Sequence, residues 1–190
     1  MADEDFTDDY FSQENKKKRE RLVCNVFLQK LNLRFDEKDV VASDDEPPDV
    51  VFRYDRKIEG RFEIKELLDP GRCRHDEYRG IARGAACYEL KDYVPQDITP
   101  EQIGGRILEL LQGLKNRYSP DARRNLDLLV YVNLMKYFLK DGPMLSASEF
   151  EPYGWRSVSA LKGCSAALVM FAASHAPMFL RHYVGVTRRR

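Results

Sequence analysis

From Asp49 to Lys65 the side chains sort by parity. Val50, Phe52, Tyr54, Ile58, Phe62 and Ile64 are apolar and even-numbered, whereas Asp49, Arg53, Glu59, Arg61, Glu63 and Lys65 are polar and odd-numbered. A period of two belongs to β-strands, whose successive side chains point to opposite faces, and it excludes a helix here. Asp55, Arg56 and Lys57 interrupt the alternation and read as a three-residue loop, so the stretch is an antiparallel hairpin. In that register Asp49 lies opposite Glu63 and Arg53 opposite Glu59; a loop longer by two residues sets Asp49 opposite Lys65 instead. Either register gathers Asp49, Glu63 and Lys65 on one face, whereas a slip of one residue would bury Asp49 on the other.

The flanks supply the neighbours of this hairpin. Residues 12–33 read as a helix, with Val23, Phe27 and Leu31 at helical spacing. Pro47 and Pro48 forbid a helix just before Asp49. Beyond Leu68 the chain turns polar around Pro70 and Gly71, and Tyr78, Ile81, Ala82, Ala85 and Tyr88 mark a second amphipathic helix. Thr99, Pro100 and Gln102 form the start of a third, as N-cap, first helical proline and capping-box glutamine, and its stripe is Ile103, Ile107, Leu111, Leu114 and Tyr118. Leu126 to Val132 and Ala166 to Ala172 read as strands buried on both faces, and Asp141 to Trp155 as a Pro/Gly-rich connection.

Composition narrows the partners. Thirty-one basic and 31 acidic side chains cancel, so no net field draws in polyanions, and a nucleic-acid footprint has to be a local patch. Cys24, Cys73, Cys87 and Cys164 make no C-x-x-C pair, which suggests neither a zinc ribbon nor a disulfide framework and fits a cytoplasmic protein. The start is acidic, and the apolar run Ala166 to Ala173 is too short for a bilayer, so no export signal and no membrane contact are expected.

Pro48-Asp49, thirteen intervening residues, then Glu63-Ile64-Lys65 resembles the signature of the PD-(D/E)XK, or restriction-endonuclease-like, nuclease superfamily, in a bacterial branch of it. The resemblance implies an α/β fold: a mixed β-sheet with an antiparallel meander flanked by helices, in the order αβββαβ, with Arg34 to Val41 as the first strand. It divides a single domain of 1–190 into an acidic, flexible 1–11, a nuclease-like core of 12–133 and a C-terminal elaboration of 134–190 carrying one further buried strand. It implies that Asp49, Glu63 and the Ile64 carbonyl ligate Mg2+ or Mn2+, that Lys65 positions or activates water, and that Glu20 on the first helix joins them. The activity implied is endonucleolytic hydrolysis of nucleic acid, DNA in the first instance, with a homodimer among the expected assemblies. The chemistry agrees, since a hard cation wants oxygen donors and the scissile phosphate a nearby positive group. Arg72, Arg74, Arg79 and Arg83 follow in a loop and on a helix face, where guanidinium groups can hold phosphates.

Two other readings compete. Glu63 and Lys65 are also what the solvated half of an ordinary hairpin looks like, and the arginines what a charged surface looks like. A binding or interaction module that keeps the fold without cleaving is the alternative function. The glutamine-and-tyrosine motif of some branches is not evident at Tyr78 to Leu90, and the acidic run Asp44 to Glu46 repels a phosphate backbone unless metal offsets it. Lys16 to Lys18 and Arg188 to Arg190 are assigned no role.

Overall fold

The computed structural model describes residues 13–54, 57–73 and 94–189, and the helix expected over 78–88 lies outside them, as do Arg74, Arg79 and Arg83. Helix α1 (Gln13–Lys30) precedes strands β1 (Val40–Ala42), β2 (Val50–Tyr54) and β3 (Lys57–Leu68). Then come β4 (Gln96–Ile98), α2 (Pro100–Leu114), α3 (Pro120–Asn125), β5 (Asp127–Asn133) and β6 (Tyr137–Leu139). The chain closes with β7 (Ser157–Lys162), β8 (Ala166–Ala172), α4 (Met178–Arg181) and β9 (Thr187–Arg188). This is an α/β fold with a mixed sheet flanked by helices. Its main sheet runs β1-β2-β3-β5-β7-β8-β9, and β4 and β6 form a separate parallel pair.

The meander β1-β2-β3 is antiparallel, β3-β5-β7 is parallel, and β8 returns antiparallel to β7. Parallel neighbours need long crossovers, and the connection from β3 to β5 contains α2, which packs on one face of the sheet. That face buries Ile103, Ile107 and Leu111 of α2 against Leu128, Val130 and Val132 of β5 and against Trp155. The other face buries Cys24, Phe27 and Leu28 of α1 against Val50, Phe52, Phe62, Ile64 and Leu129. Alternate β5 residues thus feed opposite cores, which is why this strand is apolar throughout.

Local expectations match closely in several places. The Thr99 hydroxyl accepts from the Gln102 backbone N–H, and the Gln102 side-chain oxygen accepts from the Thr99 N–H, so α2 starts with the expected capping box. Tyr118, however, lies past the end of α2, which stops at Leu114. The segment Arg34 to Val41 is not a full strand: Glu37–Asp39 forms a 3-10 turn, and only Val40–Ala42 pairs with β2. Asp36, whose backbone N–H bonds the Asp39 carboxylate, holds the chain in that turn. The segment 134–190 carries more sheet than the single strand expected, since β7, β8 and β9 all join the main sheet. β7 escapes sequence reading because its serines, Ser157 and Ser159, are buried in a strand that alternation alone would not place.

Candidate metal and phosphodiester site

The hairpin reaches its register by a different route from the one the parity implied. Tyr54 pairs with Lys57, which the expected three-residue loop would have contained, and Arg53 pairs with Ile58 in place of the expected Glu59; a bulge between Phe52 and Arg53 adds the compensating residue on β3. Beyond the bulge Phe52 pairs with Gly60 and Val50 with Phe62, a register that continues to Asp49 opposite Glu63. Tyr54, at the end of β2, is exposed even though its ring lies 6.4 Å from that of Phe52.

β2 ends its pairing at Val50 while β3 runs on to Leu68, so the edge of β3 beyond Phe62 would be left without a partner. Asp49 fills that gap: its Oδ2 accepts from the Ile64 backbone N–H at 2.8 Å. The N–H and C=O of one strand residue face the same side, so the Ile64 carbonyl opens toward Asp49 as well. Phe62 and Ile64 point into the α1 core, which turns Glu63 and Lys65 to the α2 side. The three residues therefore converge on the edge where β2 and β3 part, rather than on one open face.

Nor is this a solvated hairpin face, since Asp49 and Glu63 are 5% and 4% exposed. Glu63 Oε1 accepts from Lys65 Nζ and, at 2.6 Å, from the Tyr118 hydroxyl. Lys65 Nζ is also 3.3 Å from the Ile64 carbonyl and 5.7 Å from the centre of the Tyr118 ring. Burial would lower the Lys65 pKa, but the Glu63 carboxylate and the Tyr118 oxygen together more than offset it and the ammonium is held above its usual range. Burial and the same carboxylate push the Tyr118 phenol up, so it stays a donor.

From the opposite face α1 contributes Lys16 and Glu20, one turn apart. Lys16 Nζ lies 3.6 Å from Glu20 Oε1, 3.6 Å from Asp49 Oδ1 and 3.0 Å from Glu46 Oε1. Burial opposes the Lys16 charge, yet the Glu46 hydrogen bond and the charges of Glu20 and Asp49 raise its pKa overall. Glu20 is pushed up to about 7, first by burial and then by the Asp49 charge. A cavity of about 470 Å³ opens beside these groups, lined by Lys16, Glu20, Ile64 and Tyr131 among others.

The Glu20 shift has a testable sign. A carboxyl with a raised folded-state pKa binds its proton more tightly folded than unfolded, so it withdraws stability as pH rises from the ordinary carboxylate range to about 7. Glu20→Gln is expected to melt above the parent at pH 8 and level with it near pH 4. Thermal melts across that range check it, and a variant no more stable at pH 8 would show that Glu20 is not held against its charge.

Among the described residues no group of three or more His, Cys, Asp or Glu side chains is spaced to hold a metal ion. The donors present are instead mixed: the Asp49 and Glu63 carboxylates and the Ile64 carbonyl, all oxygen and all on one strand edge. That chemistry fits a hard divalent cation such as Mg2+ or Mn2+. Two buried carboxylates also need positive charge nearby, which Lys16 supplies to Asp49 and Lys65 to Glu63.

The expected site residues fare unequally. Asp49, Glu63, Ile64, Lys65 and Glu20 come together. Arg72 does not: its guanidinium, 6% exposed, bonds Asp69 Oδ2 at 3.3 Å and the Asn133 carbonyl at 3.0 Å, a fold-internal role at the far end of β3 that replaces the phosphate contact expected of it. Three contributors escaped the sequence reading. Lys16 was passed over as a surface charge, although its spacing of four from Glu20 puts the pair on one helix face. Glu46 belongs to a run read only as repulsive, and Lys16 and Lys17 in fact pair with Glu46 and Asp44. Tyr118 looked like the last rung of a core stripe.

Comparison with known proteins adds the lineage. No helix among the described residues is long and apolar enough to cross a membrane. No curated protein matches the chain. Its structure is similar to that of a protein of unknown function from Pseudomonas aeruginosa strain PAO1, described as of the monooxygenase superfamily. The two are 29% identical, with a TM-score of 0.70 over 98% of this chain and 89% of that one. Residues 2–189 match a family model, and the chain therefore belongs to the family described as "Putative endonuclease, protein of unknown function (DUF1780)".

Proposed function

We propose that this protein is a divalent-metal-dependent endonuclease that hydrolyses phosphodiester bonds of nucleic acid, with DNA as substrate, on a restriction-endonuclease-like core. The observation that carries the reading is the Asp49 carboxylate bonded to the Ile64 N–H beside Glu63 and Lys65, all on one strand edge. Asp49, Glu63 and the Ile64 carbonyl would hold Mg2+ or Mn2+, which when bound polarises the phosphate and acidifies water. Lys65, tethered by Glu63, presents a fixed ammonium to the phosphate and to the charge that develops on it. Tyr118 holds the Glu63 carboxylate in place through its hydroxyl. Glu20, with its pKa near neutrality, is able to take or return a proton at the α1 side of the site.

The family description supports nuclease activity. The description of the Pseudomonas protein points to oxygenation, but that wording belongs to that protein. Supporting hydrolysis here is the charge make-up of the centre, in which buried carboxylates and ammonium groups crowd one edge.

The test is cleavage of supercoiled plasmid, linear duplex and single-stranded DNA with Mn2+, using the parent and Asp49→Asn. Parent activity that disappears with chelator and in the variant supports the proposal. Equal cleavage by both would place the activity elsewhere. If neither cuts while the parent takes up Mn2+ and the variant does not, the binding module that keeps the fold becomes the better reading.

A further inference from the structure

We propose that Lys16 takes the place of a second divalent ion, so that each chain binds one Mg2+ or Mn2+ and not two. The inference rests on the proposed metal centre and extends it. The Lys16 ammonium is ringed by three carboxylates from two parts of the chain: Glu20 of α1, and Glu46 and Asp49 of the loop before β2. Asp49 is shared. Its Oδ2 is engaged by the Ile64 N–H, and its Oδ1 faces the ammonium. On the other flank lie Glu63, the Ile64 carbonyl and Lys65. The centre thus has two flanks meeting at one carboxylate, and one of them already contains a cation.

Size and charge agree with a resident ammonium. Oxygens stand 3.0 to 3.6 Å from Lys16 Nζ, whereas Mg2+ needs oxygens at about 2.1 Å. The ring is open enough for an ammonium and too wide for the metal as it stands. With Glu20 ionised, the form that a nearby bound cation favours, Asp49, Glu63, Glu20 and Glu46 face Lys16 and Lys65, and carboxylates then exceed ammonium groups by two. One divalent ion balances that excess; a second would leave the centre as strongly positive as it was negative. Lys16 is also held in position, because the neighbouring Lys17 bonds Asp44 at 2.8 Å and ties α1 to the same acidic loop.

The experiment is Mn2+ uptake by the full chain, with free ion followed by electron paramagnetic resonance and total binding by calorimetry. The parent, Lys16→Ala, Lys16→Gln and Lys16→Arg are compared, with circular dichroism to show that each is folded. Expected are one ion per chain in the parent and in Lys16→Arg, and two in Lys16→Ala and Lys16→Gln. Two ions in the parent overturn the inference while leaving the metal centre standing. So does a single ion in both neutral variants, which would mean that Lys16 keeps nothing out. No uptake by any of the four overturns the metal centre itself, and the inference with it.

Discussion

Lys65→Ala is expected to lower metal-dependent DNA cleavage about 10³-fold while the protein stays folded, the scale of loss when one preorganised charge-stabilising group leaves a site. The Lys65 ammonium is a quarter exposed and fixed by Glu63 and by the Ile64 carbonyl at 3.3 Å, so it is aimed before substrate arrives. Removing it takes away a largely covered side chain beside the Tyr118 ring but none of the apolar core, and Tyr118 still donates to Glu63. Lys65→Arg keeps the charge but brings a planar fork in place of a compact ammonium, and it is expected to recover only part of the rate. Single-turnover cleavage beside thermal melts checks both variants. A Lys65→Ala protein cutting at the parent rate would remove Lys65 from the chemistry and leave the hairpin as structure.

The second large effect falls on stability. Asp127, at the start of β5, is fully buried and takes four hydrogen bonds: from the Arg61 backbone N–H at 3.0 Å, from Arg156 Nε at 3.0 Å, from Arg156 Nη2, and from the Ser157 hydroxyl at 2.8 Å. One carboxylate thereby joins β3, β5 and β7 at the same end of the parallel part of the sheet. Asp127→Ala leaves the Arg156 guanidinium, 15% exposed, with no counter-charge, along with two unsatisfied donors. Breaking a buried pair from one side costs about 3–5 kcal/mol, which for a chain of this size is a fall in Tm of roughly 6–20 °C. Asp127→Asn, which retains an acceptor, is expected to lose less. Denaturant melts decide, and a loss under about 1 kcal/mol would mean that water or rearrangement replaces the carboxylate. Asp127 touches none of the candidate metal donors, so Mn2+ uptake by the folded fraction is expected to equal that of the parent.

These two carboxylates show why burial alone does not reveal a role. Asp127 is wholly satisfied by donors from its own sheet and reads as architecture. Asp49 spends one oxygen on the Ile64 N–H and turns the other to an ammonium that two further carboxylates share. A group held short of neutrality by its neighbours is the one left with binding capacity.

What the residues determined by themselves was whatever depends on near neighbours in the chain. Alternation over 49–65 set the hairpin, though neither its turn nor one common face for Asp49, Glu63 and Lys65, while the Thr99 and Gln102 pair set the start of α2, and the apolar run set β8 at Ala166–Ala172 as expected. Helical spacing set α1 to within a few residues of its ends. Each follows from sterics and hydrogen bonds acting over one turn or one pleat, and such forces can be read from spacing. The tertiary structure alone decided the rest. Glu63 meets Tyr118 across 55 positions and Lys16 meets Glu46 across 30, because burying the two faces of one sheet brings α1 and the end of α2 to the edge that Asp49 closes. No local force links those pairs; only the common core does, and so spacing in the sequence pointed to the residues at the centre of the candidate site but not to the groups packed around them.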